Sequence, residues 1–279
     1  MDYGPFGWME RFDPGWCPWV GGGAPYAFGA QPQAAAVNCA GLSDAFAQLV
    51  RDAAADDGLP KAEREAAVAA VRDAVSGKFV DSFHSKNDDN SRRKLGLATW
   101  DEEAKALYQG LYTLMARHAG AGGVDFTLTF RALSDATPPA DDADGARAGW
   151  PEGGSAGAAG RVAALLGRAA LEPVESWADA DVELWSDWLR RYWARVGAEG
   201  RPAAERQAEM RAANPKYILR NWMAAEAYEG AARGDPSVAR ELHAVLAKPY
   251  DEQGAAEEER WAQPTPRWAR DRPGLHVMS

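Results

Sequence analysis

The residues best suited to chemistry lie at the start of the chain, in Asp2-Tyr3-Gly4. A carboxylate followed by an aromatic residue and a glycine can hold Mg²⁺ against phosphate oxygens, and the glycine lets the loop turn. Three residues carry little information by themselves, and an Asx turn explains them more simply. The residues that follow must therefore decide between a metal site and a turn.

Other catalytic signatures are missing from the sequence. No histidine pair has metal-ligand spacing, and neither Cys17 nor Cys39 belongs to a Cys-x-x-Cys pair, so we expect no zinc site and two reduced thiols. The sequence contains no Gly-x-Ser-x-Gly elbow, P-loop or dinucleotide-binding glycine pattern. Four histidines are present: His84, His118, His243 and His276.

Composition narrows the possible partners. The 279 residues carry a net charge of −10, which gives no overall field to hold nucleic acid. No run of 18 apolar residues predicts a membrane span, and the first residues have neither signal-peptide nor transit-peptide character.

Apolar periodicity predicts a mainly α protein. The pattern favours a strand only at Asp125–Phe130, a polar turn at 85–93, a flexible linker at 134–160 and an irregular tail from Pro249. One helix is expected to begin near Thr99, and the other predicted helices are 33–50, 61–83, 161–171, 181–196, 203–213, 215–233 and 237–247.

Helical spacing also assigns structural roles to individual side chains. Trp185, Trp188 and Tyr192 fall on one stripe that we expect in the core, with a ligand cage as the alternative. Val37, Leu42, Phe46 and Leu49 fit one stripe of an earlier helix. Arg220 and Asn221 are expected to form a buried, hydrogen-bonded structural pair, with catalysis as the alternative. Glu10 and Asp13 either cap a loop, which is favoured, or help to hold metal. The acidic runs 141–144 and 257–259 are expected to be solvated.

Several longer segments resemble one known family. Asp2-Tyr3-Gly4 has the form of the metal-binding Asp-Phe-Gly motif of protein kinases, and the whole chain resembles the selenoprotein O or YdiU-like protein adenylyltransferases. The resemblance rests, in chain order, on Asp2-Tyr3-Gly4-Pro5-Phe6-Gly7-Trp8-Met9-Glu10-Arg11-Phe12-Asp13-Pro14-Gly15, Gln31-Pro32, Asp125-Phe126-Thr127-Leu128-Thr129-Phe130-Arg131-Ala132-Leu133-Ser134, Asn214-Pro215-Lys216-Tyr217-Ile218-Leu219-Arg220-Asn221-Trp222-Met223-Ala224, Gly234-Asp235, Lys248-Pro249-Tyr250-Asp251-Glu252-Gln253 and Pro264-x-Pro266-x-Trp268-Ala269.

The resemblance implies a kinase-like fold and an enzyme that transfers AMP from ATP to Ser, Thr or Tyr hydroxyls of proteins. The α-phosphorus of an inverted nucleotide is attacked and pyrophosphate leaves. Asp2 matches the family residue that binds Mg²⁺, or Mn²⁺, and approaches the ATP phosphates. It is the only family catalytic-site residue that can be placed in this chain.

In the family, an Asp-Asn pair and a nucleotide-binding lobe precede the Asp-Tyr-Gly motif. This chain begins one residue before that motif, so the resemblance implies the C-terminal lobe of a kinase-like fold with a helical extension and without the N-terminal nucleotide lobe. The expected division is a partial C-lobe at 1–133, a linker at 134–160 and a helical region with an irregular tail at 161–279. We expect this chain alone to be inactive.

Family members commonly end in Val-Ser-Cys-Ser-Ser or its selenocysteine equivalent, and here Leu275-His276-Val277-Met278-Ser279 stops where that residue would follow. A selenocysteine after Ser279 is therefore expected, and a selenol there could form a bridge with Cys17 or Cys39.

Two alternatives remain open: a non-catalytic helical interaction module, and a fragment of a kinase-like phosphotransferase. The expected location is mitochondrial for a eukaryotic protein, which is favoured, and cytoplasmic for a bacterial one.

Overall fold

A computed structural model describes residues 9–17, 23–117, 123–137, 155–270, 272 and 275 of the chain. Within these ranges the protein is helical, and its only β pairing is an isolated bridge between Val124 and Ala170. None of the helices so described is long and apolar enough to cross a membrane. The α-helices are α1 (Gln31–Asp56), α2 (Lys61–Arg72), α3 (Lys78–Leu95), α4 (Glu102–Met115), α5 (Phe126–Asp135), α6 (Ser155–Leu166), α7 (Asp179–Glu199), α8 (Ala203–Ala213), α9 (Asn221–Ala232), α10 (Ser237–Leu246), α11 (Ala255–Trp261) and α12 (Arg267–Arg270).

The described residues form two compact units. The first holds 14–17 and 23–89, and the second holds 9–13 and the described residues from 90 onwards. The boundary falls within α3, between Asp89 and Asn90.

The first unit is an α-hairpin with an extension. Gly58, with a φ of 71°, ends α1, and Pro60 precedes α2, because glycine and proline suit the end and the start of a helix. Arg72 reaches back to Asp44 at 2.9 Å. A single π-helical turn, Asp73–Gly77, joins α2 to α3, so the helix predicted at 61–83 is confirmed.

Helix α3 continues beyond residue 83, where the sequence predicted that the helix ends. The polar turn predicted at 85–93 is wrong, because these residues belong to α3. Ser91 and Leu95 lie one helical turn apart and are both fully buried, and Arg92 donates to the backbone oxygen of Leu97 at 2.7 Å. Burial of one narrow face stabilises the helix despite its many polar residues, most of which face solvent on the other sides of α3.

The apolar stripe predicted for the first long helix lies on α1 and is exposed. The helix is confirmed, yet the stripe is not in a core, since Val37, Leu42, Phe46 and Leu49 are between 45% and 63% exposed. Helical spacing identifies a common face, but only packing partners decide whether that face is buried.

The core of the second unit is built around α7, where the predicted aromatic stripe is confirmed. Trp185, Trp188 and Tyr192 are at most 2% exposed, and the rings of Trp188 and Tyr192 stack with centroids 5.2 Å apart. Trp188 donates its indole N–H to the backbone oxygen of Leu107 at 2.9 Å, and the Tyr192 hydroxyl donates to that of Leu95. These bonds satisfy the polar atoms that large aromatic residues carry into a core.

The strand predicted at Asp125–Phe130 is wrong. Asp125 is instead the N-cap of α5, and its carboxylate accepts a hydrogen bond from the backbone N–H of Leu128 at 2.9 Å. The Thr129 hydroxyl bonds back to the Asp125 carbonyl. An alternating Phe-Thr-Leu-Thr-Phe sequence favours a strand, but the N-cap and the helical face that it starts override that preference.

The C-terminal part of the second unit also departs from prediction at its edges. The helix expected from Pro215 begins at Asn221, because the backbone N–H groups of Lys216 and Tyr217 donate to the Pro249 carbonyl instead. The tail expected to be irregular contains α11 and α12. Trp261 of α11 is 1% exposed and stacks on Trp222, so a buried aromatic contact fixes this segment.

Replacement of Trp188 by Ala should lower the free energy of unfolding by about 3–5 kcal/mol, because it empties a fully buried site. Tyr228→Ala is the control, since Tyr228 is 74% exposed and should change stability little. Urea unfolding followed by far-ultraviolet circular dichroism measures the stability of both variants. Equal effects of the two substitutions would contradict the assigned core.

Candidate functional site

The predicted metal ligand Asp2 lies outside the described residues, as do the rest of the Asp-Tyr-Gly motif and the tail residues 276–279. The structure does describe the segment 9–13, which follows the motif closely and belongs to the second unit. The candidate site is therefore this segment, called here the post-motif segment, together with the side chains that hold it.

Glu10 attaches the post-motif segment to the helices of the second unit. Its backbone oxygen accepts a hydrogen bond from the N–H of Phe126 at 2.7 Å. Its carboxylate accepts a hydrogen bond from the hydroxyl of Thr265, and the same oxygen lies 3.8 Å from a guanidinium nitrogen of Arg220. One residue thus connects the segment to the start of α5, to the tail before α12 and to the residue before α9.

Arg220 and Asp125 form a buried ion pair beneath Glu10. The guanidinium nitrogen Nη1 of Arg220 lies 2.6 Å from Oδ2 of Asp125, and the two side chains are 2% and 0% exposed. Burial disfavours the charged guanidinium, but the charges of Asp125 and Glu10 outweigh it, so the pKa of Arg220 is raised. The two carboxylate oxygens of Asp125 have different partners: one accepts from Arg220 and the other from the first turn of α5.

The expectation for Arg220 and Asn221 is half right. Arg220 is buried as predicted, but its partner is Asp125, 95 residues away in sequence. Asn221 is exposed and donates its amide to the backbone oxygen of Leu275 at 2.5 Å. Side chains of consecutive residues at the start of a helix point in different directions, so Arg220 and Asn221 do not face each other. The longer side chain of Arg220 reaches the distant carboxylate of Asp125 instead.

Phe12 supplies the apolar half of the attachment. Its ring meets Tyr112 edge to face, with centroids 4.6 Å apart, and lies 5.7 Å from the ring of Phe126. Phe126 in turn contacts Phe130, over which the ammonium of Lys94 lies at 4.3 Å from the centroid. Burial lowers the pKa of Lys94 to about 8.

Glu10 holds a loop in place, which is the role that the sequence favoured over metal binding. Asp13, the other residue considered there, is exposed, and its backbone N–H lies 3.0 Å from the sulfur of Met9. In the part of the chain that the structure describes, no group of three or more His, Cys, Asp or Glu side chains could hold a metal ion. The sequence reading missed Asp125 and Thr265, although both lie in segments that carried the family resemblance.

A second set of ion pairs holds the same region from the other side of α5. Arg131 is 4% exposed, donates to the backbone oxygens of Asn214 and Tyr250, and is paired with Glu252. Lys216 is 6% exposed and lies 2.5 Å from Glu252 and 2.8 Å from Glu258. The prediction that the acidic run 257–259 is solvated is therefore wrong for Glu258, which is an ion-pair partner.

The segments that resembled the family thus meet in three dimensions. Glu10 and Phe12 come from the first of them, and Asp125, Arg131 and Ser134 come from the segment 125–134. Their partners come from segments about 80 to 250 residues further on. These partners are Asn214, Arg220, Glu252 and Thr265.

Comparison with known proteins finds the family that the sequence segments resemble. A family model described as "Protein adenylyltransferase SelO" matches residues 1–247. The protein nucleotidyltransferase YdiU of Xanthomonas axonopodis pv. citri (strain 306) is 33% identical over 282 residues, which cover 100% of this chain and 46% of that protein. The YdiU protein of Xanthomonas campestris pv. campestris (strain B100) is 34% identical with the same coverage.

The chain belongs to the protein adenylyltransferase SelO family. It spans about half the length of the curated relatives that it matches.

The two cysteines lie in the first unit, where both are half-buried and neither forms a disulfide with a described residue. The expected bridge from either of them to a selenocysteine stays a prediction.

Removal of one partner from the buried ion pair should be costly. Arg220→Leu leaves the Asp125 carboxylate buried without its cation, and we expect the free energy of unfolding to fall by about 3–5 kcal/mol. Arg72→Gln removes an exposed pair and should cost about 0–1 kcal/mol. In urea unfolding, the double variant Asp125→Asn with Arg220→Leu should lose less than the sum of the two single variants. Strict additivity would show that the two side chains do not interact.

Glu258 should make stability depend on acid pH. Hydrogen bonds from Lys216 and Arg168 lower the pKa of Glu258 from 4.5 to about 2. Because the folded protein binds this proton less readily than the unfolded chain, the contribution is complete above about pH 4.5 and is lost as the pH falls towards 2. We expect Glu258→Gln to flatten the pH dependence of the unfolding free energy in that window, whereas Glu63→Gln on α2 should leave it unchanged.

Proposed function

We propose that this chain is the metal-motif part of a protein adenylyltransferase, which transfers AMP from ATP to Ser, Thr or Tyr hydroxyls of proteins. Membership of the SelO family supports this proposal, as do relatives named protein nucleotidyltransferases. The fold that goes with it is the C-terminal lobe of a kinase-like protein followed by a helical extension. In this reaction the acceptor oxygen attacks the α-phosphorus and pyrophosphate leaves.

Asp2 is the residue that would hold Mg²⁺, or Mn²⁺, in such an enzyme. The metal would neutralise charge on the phosphate oxygens during transfer. Magnesium sites of this kind use one or two carboxylates and complete their coordination with water and substrate phosphates, so a single motif carboxylate fits the role. No cluster of possible ligands is found among the described residues, and Asp2 is the metal ligand that we propose this chain supplies.

The observation that carries the proposal is the attachment of the post-motif segment. Glu10 lies eight positions after Asp2, and it is fixed by a backbone hydrogen bond, a hydroxyl and a buried cation. A catalytic carboxylate must be held within a fraction of an ångström of its productive position, and a fixed anchor nearby in sequence limits how far the motif can move. Glu10 is thus proposed as a positioning residue for Asp2.

The 279-residue chain alone is proposed not to transfer AMP. Among family catalytic residues it supplies only Asp2, and a lone carboxylate holds Mg²⁺ weakly in the absence of bound phosphates. The proposed partners of the complete enzyme are ATP and protein substrates. The relatives named above are bacterial, so they give the mitochondrial expectation no support, and the compartment stays a prediction.

One observation favours a second candidate, a non-catalytic interaction module. The stripe of α1 formed by Val37, Leu42, Phe46 and Leu49 is exposed, and apolar stripes of this kind commonly contact other protein surfaces. Under this alternative Asp2 has no catalytic role. The phosphotransferase alternative differs from both, because it keeps the role of Asp2 but transfers the γ-phosphoryl group.

A chimera separates these three candidates. The stretch of the Xanthomonas axonopodis relative that aligns with this chain is replaced by the 279 residues, and the chimera is incubated with Mg²⁺ and ATP labelled at either the α or the γ phosphorus. We expect label from α-labelled ATP to become attached to protein and none from γ-labelled ATP. Asp2→Ala should lower the rate by about 100-fold or more.

The outcomes of this assay are distinct. Transfer from γ-labelled ATP would identify a phosphotransferase, and transfer that survives Asp2→Ala would remove the proposed role of Asp2. Glu10→Gln should lower the rate with a smaller effect than Asp2→Ala, whereas the exposed Glu63→Gln should leave it unchanged. Labelling by the 279-residue chain alone would contradict its proposed inactivity.

A further inference from the structure

Helix α1 exposes large apolar side chains and buries small ones. Leu42, Phe46 and Leu49 are 52%, 45% and 63% exposed. The buried residues of this helix are instead Ser43, Ala47 and Ala54. Burying Leu or Phe stabilises a fold more than burying Ala or Ser, so an amphipathic helix whose partners are all present has the opposite arrangement.

The three large side chains lie together. Spacings of four and three residues place Leu42, Phe46 and Leu49 on one side of α1, called here the open face. Asp52 and Asp56 follow Leu49 by three and seven positions, so two exposed carboxylates lie at the C-terminal end of this face. Within its own unit, α1 packs on α2 and on the π-helical turn that follows it.

The first unit gains little stability from apolar burial of its own. Among the described residues, both clusters of buried apolar side chains are made of side chains of the second unit. The buried apolar residues described in the first unit are Ala47, Ala54 and Val68. Helices in proteins depend mostly on the packing of an apolar face, so α1 needs a further surface on its open face.

The coverage of the relatives indicates where this surface comes from. The Xanthomonas axonopodis relative matches the whole of this chain, including α1, yet the match covers only 46% of that protein. More than half of the relative therefore lies outside the match and is available to cover the helix. A second copy of this chain fits the open face less well, because it carries a net charge of −10 and would bring Asp52 and Asp56 to the same interface again.

We propose that the open face of α1 binds an apolar surface in the part of the complete adenylyltransferase that lies outside the stretch represented by this chain. Basic residues of that part lie beside Asp52 and Asp56, because opposite charges at the rim of an interface set its register. This inference rests on the proposed function, in which the chain is one part of a longer enzyme.

The test compares the 279-residue chain with the chimera described above by hydroxyl-radical oxidation and peptide mass spectrometry. We expect oxidation of Leu42, Phe46 and Leu49 to be about fivefold slower or more in the chimera, because half-exposed side chains become almost fully buried. Tyr228 in the second unit is 74% exposed and is the control, with equal oxidation in both proteins. Equal oxidation of the open face in both would overturn the proposal.

Two further measurements make the result unambiguous. The intact Xanthomonas axonopodis relative should show the same protection at the positions aligned with the open face, which provides the readout in a natural protein if the chimera does not fold. Sedimentation velocity tests for a second copy. Protection of the chimera that appears only when it dimerises would assign the open face to self-association and overturn the proposal.

A charge placed on the open face gives an independent test. Phe46→Glu should lower the melting temperature of the chimera by several degrees, because it buries a carboxylate in an apolar contact, and should change that of the 279-residue chain much less. Tyr228→Glu is the matched control and should change neither protein appreciably. Equally small shifts from Phe46→Glu in both proteins would contradict burial of this face.

The outcomes separate this inference from the proposed function. A chimera that transfers AMP while its open face stays as reactive as in the chain alone would overturn the docking and leave the proposed function standing. A chimera with a protected open face and no AMP transfer would support the docking and count against the proposed function.

Discussion

The ion pair between Asp125 and Arg220 is the interaction on which the second unit depends. Two charges are removed from water there, which is costly unless every lone pair and N–H finds a partner. Each carboxylate oxygen of Asp125 has a partner, one the guanidinium of Arg220 and the other the backbone N–H at the start of α5, whereas the Nε atom of Arg220 has no hydrogen-bond partner among the described residues. The pair therefore fixes where α5 begins, where the chain enters α9 and, through Glu10, where the post-motif segment lies.

Helix α5 carries attachments on two sides. Its first residues hold the post-motif segment through Phe126 and the neighbouring Asp125, and its later residues hold the segments around Glu252 and Asn214 through Arg131 and Ser134. A short helix can do this because successive residues point in different directions around its axis. The same arrangement leaves a cavity between α5 and α6.

The tertiary packing also explains why the family segments are so far apart in sequence. Each contact joins a residue from one of these segments to a residue from another: Glu10 to Thr265, Asp125 to Arg220, and Arg131 to Glu252. Between them the chain builds the aromatic core around Trp188 and Tyr192, which keeps α4 and α7 together. The core supplies stability through apolar burial, whereas the polar contacts determine which distant segments meet.

The sequence alone determined the helical class, the aromatic core stripe of α7 and the family, because these follow from local periodicity and from quoted residue strings. It did not determine the start of α5 or the course of 85–93, since a buried N-cap and a narrow buried face outweighed local preference at Asp125 and Ser91. It identified the stripe of α1 but not its exposure, and it placed Arg220 in the interior without its partner. Only the tertiary structure decided these points, because the energy of a buried charge or an apolar face depends on groups that lie far away in the sequence.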